Sequence, residues 1–331
     1  MTPDTLPNAP TALVGPDGQP HCGRFLGLAR HYNWQDLAPP YARSAWWRHF
    51  HHKRWHYVAL AAGELFCGIA IVDLGWTNTA FAYAFDRRQR KVVAAFSQDG
   101  LPGLSARVGA HAADASSFDF FGKRIALAPQ TDGAMRLTLA CGQFQIDASF
   151  DAAQALLLAV GPVAGGSVHA TQKSSGLALR GRVRSADAEY VLDGGVASFD
   201  YSNGLLARAT DWRWASAHSL ALGFNLQAGY FGANENALWI DGGLVSLGAA
   251  QFDYNNADPL APWHVTTADG LLDLVFQPEG ARREDKNLLV AASRYVQPIG
   301  TFTGSVRAHA GAPARRVEAL VGVTEDHASR W

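Results

Sequence analysis

Residues 136–150 read RLTLACGQFQIDASF. Leu137, Leu139 and Cys141 fall on alternate positions, and so do Phe144, Ile146, Ala148 and Phe150. Alternation with period two puts one face of an extended chain in a core and the other in water, so the pattern specifies half-buried strands over Arg136–Cys141 and Gln143–Phe150. Gly142 alone between the runs is too short for a two-residue hairpin and predicts a bulge or corner.

The same pattern spreads outward. Phe118–Ala126, Leu177–Val183, Tyr190–Phe199, Leu222–Gly229, Ala237–Ile240, Val245–Tyr254, Leu271–Phe276, Asn287–Val296, Phe302–His309 and Val317–Val323 also read as strands. Turn signals lie between many of them: Asp99-Gly100, Thr131-Asp132-Gly133, Asp193-Gly194-Gly195, Asn203-Gly204, Asp241-Gly242-Gly243 and Asp269-Gly270. Asp-Gly and Asn-Gly suit tight hairpins because both turn positions need positive φ. Many short strands at near-regular spacing specify an all-β sandwich or barrel. Helical signals are few: Pro40–Lys53, a single turn at Gln35–Leu37, and Asp151–Leu158, whose composition suits a helix or another strand.

The chain has 331 residues, 48% hydrophobic and 17% charged, with a formal net charge of −1. It is too apolar to be disordered, and it lacks the cation excess that a nucleic-acid binder needs to neutralise phosphates. No apolar run approaches the roughly 18 residues of a membrane-spanning helix. Met1–Thr11 is polar and proline-rich, unlike a signal peptide. Cys22, Cys67 and Cys141 are odd in number and widely spaced, which reads as free buried thiols in a cytoplasmic protein. A Trp–basic cluster precedes a β meander twice, at Lys53–Tyr57 and at Asp211–Trp214. The echo implies two related units split near residues 180–190, against the rival of chance similarity among meanders. We therefore expect two consecutive β barrels, 1–185 with a short helix near 40–53, and 186–331.

Several constellations can carry chemistry. His49, His52 and His56 share a face if helical and would then offer three imidazoles to a metal, but His56 falls beyond the expected helix end, and a basic helix terminus is the plainer account. In Asp211–His218, Trp212, Trp214, Ser216 and His218 share one strand face, so His218 is a candidate proton carrier beside two indoles. Glu235 is a candidate acid at a barrel mouth, with Asn225 and Asn236 orienting a ligand. Asp73 follows a long apolar strand and is a second candidate acid, because burial raises a carboxyl pKa. His169 and Lys173 lie in a polar stretch that faces either a pocket or solvent. Asp200-Tyr201 and Arg294-Tyr295 are candidates for a buried charge pair. No phosphate-binding glycine loop, dinucleotide fingerprint or GxSxG elbow occurs.

Gly23–Arg30, Lys53–Tyr57, Asp211–Asp241, Pro262–His264, Asp269–Pro278 and Gln297–Gly304 together resemble the bacterial and fungal family catalogued as domain of unknown function 2804. More remotely the chain resembles the lipocalin-like double barrels of the carotenoid 1,2-hydratase and AttH type. That resemblance implies all-β architecture, two consecutive antiparallel barrels with few short helices, an apolar cavity and, in the hydratase, acid-catalysed addition of water to a carbon–carbon double bond.

The leading expectation is a cofactor-independent, metal-free enzyme acting by acid/base chemistry on an isoprenoid-like or lipid-like small molecule, as a hydratase, isomerase or cyclase. Asp73 or Glu235 would be the acid and His218 would position water or accept the proton. Trp55, Tyr57, Trp212, Trp214 and Trp239 would line the cavity. A non-catalytic carrier of hydrophobic ligands explains the aromatics equally well. A carbohydrate-active protein would instead need Asp73, Asp211 or Glu235 paired across an open polar cleft.

Overall fold

The computed structural model describes residues 6–287 and 292–330. The chain opens with β1 (Gly23–Leu26), a 3-10 turn at Trp34–Asp36 and α1 (Ala45–His51). A first meander follows: β2 (His52–Ala62), β3 (Leu65–Asp73), β4 (Asn78–Asp86) and β5 (Lys91–Gly100). Next come β6 (Ala106–Arg107), β7 (Ser116–Phe120), β8 (Lys123–Pro129), β9 (Met135–Cys141) and β10 (Phe144–Phe150). They are succeeded by β11 (Leu157–Pro162), β12 (Val168–Lys173), β13 (Leu177–Arg184), β14 (Glu189–Val191) and β15 (Gly195–Leu205). A second meander is β16 (Ala209–His218), β17 (Leu222–Gly229), β18 (Ala237–Ile240) and β19 (Gly243–Ser246). The chain closes with β20 (Ala250–Asp253), β21 (Trp263–Thr267), β22 (Leu272–Asn287), β23 (Ala292–Val306) and β24 (Arg315–Arg330). The class is all-β.

Two antiparallel sheets hold these strands. The first runs β5-β4-β3-β2-β15-β13-β10-β9-β8-β7-β6, and the second β19-β18-β17-β16-β24-β23-β22-β21-β20. Each sheet places a four-strand meander in reverse order, then the unit's last strand, then the intervening strands. The Trp–basic echo thus marks the first strand of the same construction used twice. β6 returns to β3 and β4, and β20 returns to β17, so each sheet curls back toward itself. The sheets change over at residues 206–208. The boundary expected at 185/186 falls between β13 and β14 of the first sheet.

Three strands of the first meander are buried on both faces. In β2, Val58 and Leu60 point into the first barrel while Trp55 and Tyr57 face the second sheet. In β3, Cys67, Ile69 and Ile71 point inward and Phe66, Ala70 and Val72 outward. β4 repeats the division with Ala80, Ala82 and Ala84 inside and Phe81, Tyr83 and Phe85 outside. This is why Leu65–Val72 is an unbroken apolar run instead of an alternating one. From the other side β16 contributes Trp212 and Trp214, and β24 contributes Val321 and Val323.

Local expectations differ from the structure in several places. Gly142 and Gln143 form a two-residue hairpin, with Cys141 opposite Phe144 and Gly142 at φ 60°, so the second run begins one residue later than the pattern suggests. Asn203-Gly204 is not a turn: both residues lie inside β15 and pair with Arg54 and Lys53 of β2. The helix is shorter than Pro40–Lys53. The Ser44 hydroxyl caps it by accepting from the Trp47 N–H, and His52 already pairs with Leu205 in the sheet. Asp151–Leu158 is mostly loop, with β11 starting at Leu157. Leu271–Phe276 is only the start of β22, which continues through the charged run Arg282–Lys286. Of the strand expected at Asn287–Val296, residues 288–291 lie outside the described residues, as do residues 1–5 of the N-terminal segment. The cysteines are free, but only Cys67 is buried; Cys22 is exposed. No helix among the described residues is long and apolar enough to cross a membrane.

Candidate functional site

A cavity of about 250 Å³ lies between the two sheets, outside the core of either barrel. Trp55, Tyr57, Val72 and Phe81 of the first meander form one wall. Trp212 and Trp214 of β16, Gln227 of β17, and Tyr295, Gln297, Glu325 and His327 of β23 and β24 form the other. The alternation described above produces this wall: the outward positions of each strand are the cavity positions.

Three ionisable side chains meet in it. Lys173 is the last residue of β12 and stands opposite Asp200 because β15 pairs with β12 along its second half. Lys173 Nζ is 2.5 Å from Asp200 Oδ2 and 3.3 Å from Glu235 Oε2, a residue of the β17–β18 loop. Lys173 is 3% exposed and Glu235 4%. Burial pushes the Glu235 carboxyl pKa up; Lys173 opposes this and Asp200 adds to it. Burial alone would lower Lys173, but Asp200 and then Glu235 outweigh it and raise its pKa. One ammonium serves two carboxyl groups in a low-dielectric site, and burial favours the neutral form of Glu235.

Hydrogen bonds fix this loop. The Asn225 Nδ2–H donates to the Glu235 backbone carbonyl at 3.0 Å, and Asn225 Oδ1 accepts from Trp214 Nε1 at 2.8 Å. Asn236 Oδ1 accepts from the Gln227 backbone N–H at 2.7 Å. Tyr230 lies 3.4 Å from His169 Nε2 through its hydroxyl, and the His169 ring stacks on Trp55 with centroids 5.8 Å apart. His169 is held neutral, its pKa lowered to about 3 by burial and then by Lys173. Gln227 is 2% exposed, and neither atom of its side-chain amide has a partner in the protein.

A second polar group stands on β23 and β24. The Glu325 carboxylate accepts from Trp212 Nε1 at 2.8 Å and from Gln297 Nε2 at 2.9 Å. His327 Nδ1 is 3.3 Å from Glu325 Oε1, and the ring lies 4.1 Å from Trp212 between centroids.

Of the residues singled out in the sequence, Glu235, Lys173, Asp200, Tyr295, Trp55, Tyr57, Trp212 and Trp214 line the cavity. The others lie elsewhere. Asp73 pairs with Arg54 at 2.5 Å and accepts from the Gly75 N–H. His218 lies 3.0 Å from Ser216 Oγ, beside a separate void of about 20 Å³, with its pKa lowered to about 3 by burial. Asn225 and Asn236 stand behind the wall and hold it in shape. Trp239 donates to the Ala155 carbonyl at 2.6 Å, outside the cavity lining. Asp211 also lies outside that lining, so neither Asp73 nor Asp211 joins Glu235 in the cavity. His49 sits on α1, while His52 bonds Asn203 and His56 faces Ser116 from β2. Among the described residues no group of three or more His, Cys, Asp or Glu is placed to hold a metal.

Asp200 pairs with Lys173, whereas Arg294 is mostly exposed and lies 3.8 Å from Asp326. Gln227, Glu325 and His327 escaped sequence reading. Thr324-Glu325-Asp326-His327 looks like a solvated strand end, and a single glutamine in an apolar strand carries no motif.

Three solved structures share this architecture. An AttH-like protein from Nitrosomonas europaea is 15% identical with a TM-score of 0.56, covering 88% of this chain and 98% of its own. Kievitone hydratase from Nectria haematococca is 9% identical with a TM-score of 0.56, covering 100% and 98%. CghA with Sch210972 is 11% identical with a TM-score of 0.54, covering 98% of each chain. At these identities the likeness establishes the two-barrel fold and leaves the chemistry to each protein. No curated protein sequence matches the chain. The family model described as domain of unknown function DUF2804 matches residues 6–331, and the chain belongs to that family.

Proposed function

We propose that the chain is a cofactor-independent enzyme that performs acid/base chemistry, of the hydratase, isomerase or cyclase kind, on an apolar isoprenoid-like or lipid-like molecule held between the two barrels. The observation that carries this reading is the group formed by buried Lys173 and Glu235 with half-buried Asp200 on the wall of an aromatic cavity. Structural proteins seldom bury ionisable groups in an apolar wall, because each ion loses several kcal/mol of solvation that pairing must offset. Active sites do so to tune a proton donor. That a hydratase is among the structures of the same fold supports the reaction class and says nothing of the substrate.

In this reading Glu235 holds its proton at neutral pH and delivers it to an unsaturated carbon or a departing hydroxyl. Lys173 then stabilises the carboxylate left behind, while Asp200 favours its reprotonation. Trp55, Tyr57, Trp212 and Trp214 flank the cationic centre that develops, each π face contributing about 0.5–2 kcal/mol. The Gln227 amide supplies the ligand's polar end with one donor and one acceptor.

The test is proton transfer itself. The protein is incubated in heavy water with a panel of unsaturated terpenoids, prenylated phenols and fatty acids, and deuterium incorporation is read by mass spectrometry. At least one compound should gain deuterium with the wild-type chain, and Glu235→Gln should lower the rate about 100-fold or more while binding, read by tryptophan fluorescence, persists. Binding without incorporation across the panel would establish the carrier reading instead.

A further inference from the structure

His327, Glu325 and Ser293 form a second constellation that proton delivery by Glu235 does not use. Glu325 is 7% exposed and fixed by Trp212 and Gln297. Its Oε1 faces His327 Nδ1, so the proton of the neutral imidazole sits on Nδ1 and the lone pair on Nε2. Two hydroxyls reach that nitrogen, Ser293 Oγ at 2.9 Å and Ser329 Oγ at 2.7 Å. One lone pair serves one hydroxyl at a time, and only Ser293 lines the cavity. Ser293 stands opposite Ser329 of β24 on one side and Lys286 of β22 on the other; the Lys286 ammonium also lines the cavity and is paired with Glu284 at 2.8 Å and Asp99 at 2.9 Å.

A hydroxyl on an imidazole that is itself oriented by a buried carboxylate is the arrangement that activates a serine, whatever fold presents it. We propose that Ser293 is a nucleophile activated by His327 and Glu325, and that this face of the cavity hydrolyses carboxylic esters with apolar acyl groups. Ser293 Oγ bonds to the ester carbonyl carbon as its proton passes to His327 Nε2. The carbonyl π pair moves onto oxygen. Collapse of this adduct expels the alkoxide, which takes the proton from His327. Water repeats the sequence on the acyl-serine, releasing the acid and restoring Ser293. No other co-reactant is needed. The centre is independent of Glu235: it stands on β23 and β24 while Glu235 lies in the β17–β18 loop, and each can fail without the other.

The experiment uses an alkyl fluorophosphonate, which phosphonylates activated serines, with intact-mass detection and peptide mapping on the full chain. The wild type should gain one phosphonyl group at Ser293. Ser293→Ala should abolish the adduct with an unchanged circular dichroism spectrum. His327→Gln should slow labelling and the hydrolysis of p-nitrophenyl octanoate about 100-fold or more. Glu325→Gln should slow both at least tenfold and change the pH profile, since the imidazole tautomer is no longer fixed. No wild-type adduct, an adduct at Ser329 or elsewhere, or labelling at the wild-type rate in His327→Gln would overturn the proposal. Because labelling is read on the wild type, a variant that fails to fold leaves the decision intact.

Discussion

Gln227 is buried with both side-chain amide atoms unpartnered, on a wall where the Tyr57 and Tyr295 hydroxyls are also unpartnered. A buried polar group left without hydrogen bonds costs about 1–3 kcal/mol. Leucine has nearly the same length and no such requirement. Gln227→Leu should therefore stabilise the ligand-free protein by about 1 kcal/mol, read as a higher urea midpoint at constant m-value. It should also weaken binding of any ligand that carries a polar end. A loss of stability of the size expected for a damaged core would show that the amide is satisfied in solution. Lys173 shows the opposite situation. Its charge is matched by Asp200 and its ammonium also reaches Glu235, so its removal would strand a half-buried carboxylate beside a buried carboxyl group, and breaking such a pair costs about 3–5 kcal/mol when it is fully buried. A local window indicated that His169–Lys173 is polar within apolar surroundings. It gave no means of choosing a partner, because the partners lie on β15 and in the β17–β18 loop.

β15 is the element that a local reading misjudges most, and it organises the site. Asn203-Gly204 has the composition of a hairpin turn, yet β2 on one edge and β12 on the other hold it extended. Asn203 Oδ1 accepts from Trp34 Nε1 at 2.9 Å and faces His52 Nε2 at 2.7 Å, so the asparagine joins three segments of the first barrel. Glycine is required next to it for space. A Cβ on Gly204 would sit 2.5 Å from His169 Nδ1 and 2.9 Å from the His169 Cα. Gly204→Ala must displace His169, and with it the Trp55 ring that stacks there. The expected cost is about 1–3 kcal/mol, as for other overpacked core positions. It should be accompanied by a change in tryptophan emission and by weaker ligand binding, whereas an unchanged emission spectrum would place the strain away from the cavity. β22 shows the converse. Its second half, Arg282–Lys286, is charged and resembles a surface loop, but β23 pairs with it throughout and turns Arg282, Glu284 and Lys286 toward the cavity.

At the scale of the molecule, burial of neutral histidines links stability to pH. His56, His169 and His218 are 2%, 0% and 9% exposed, and burial, the first cause in each, lowers their pKa values to about 3. In the unfolded chain the same groups titrate near 6.5. Between these values the unfolded state binds more protons than the native state, so stability rises with pH across that window and is lost as pH falls below about 6.5. At pH 5 each histidine should withhold about 2 kcal/mol, and three together approach the whole stability of an ordinary domain. Urea unfolding at pH 7, 6 and 5 should show a falling midpoint. His56→Phe or His218→Gln should flatten the dependence, while identical slopes in wild type and variants would place the acid sensitivity elsewhere. The cavity is also a whole-molecule property, because each barrel supplies one wall and neither encloses the site alone.

The sequence by itself determined the class. Period-two alternation, closely spaced turn residues and scarce helix signals allow only antiparallel sheets, since side-chain direction in a strand depends on residue parity alone. It also placed most of the aromatic wall, because Trp55, Tyr57, Trp212 and Trp214 fall on the outward parity of two strands that each open a meander. Only the tertiary structure decided which acid is buried. Asp73 and Glu235 are equivalent to a local reading. One reaches Arg54 near solvent, and the other reaches Lys173, a residue 62 positions earlier in the sequence. Burial, pKa and pairing of an ionisable group depend on what packs against it, and here Lys173 and Asp200 arrive at Glu235 from two strands of the opposite sheet.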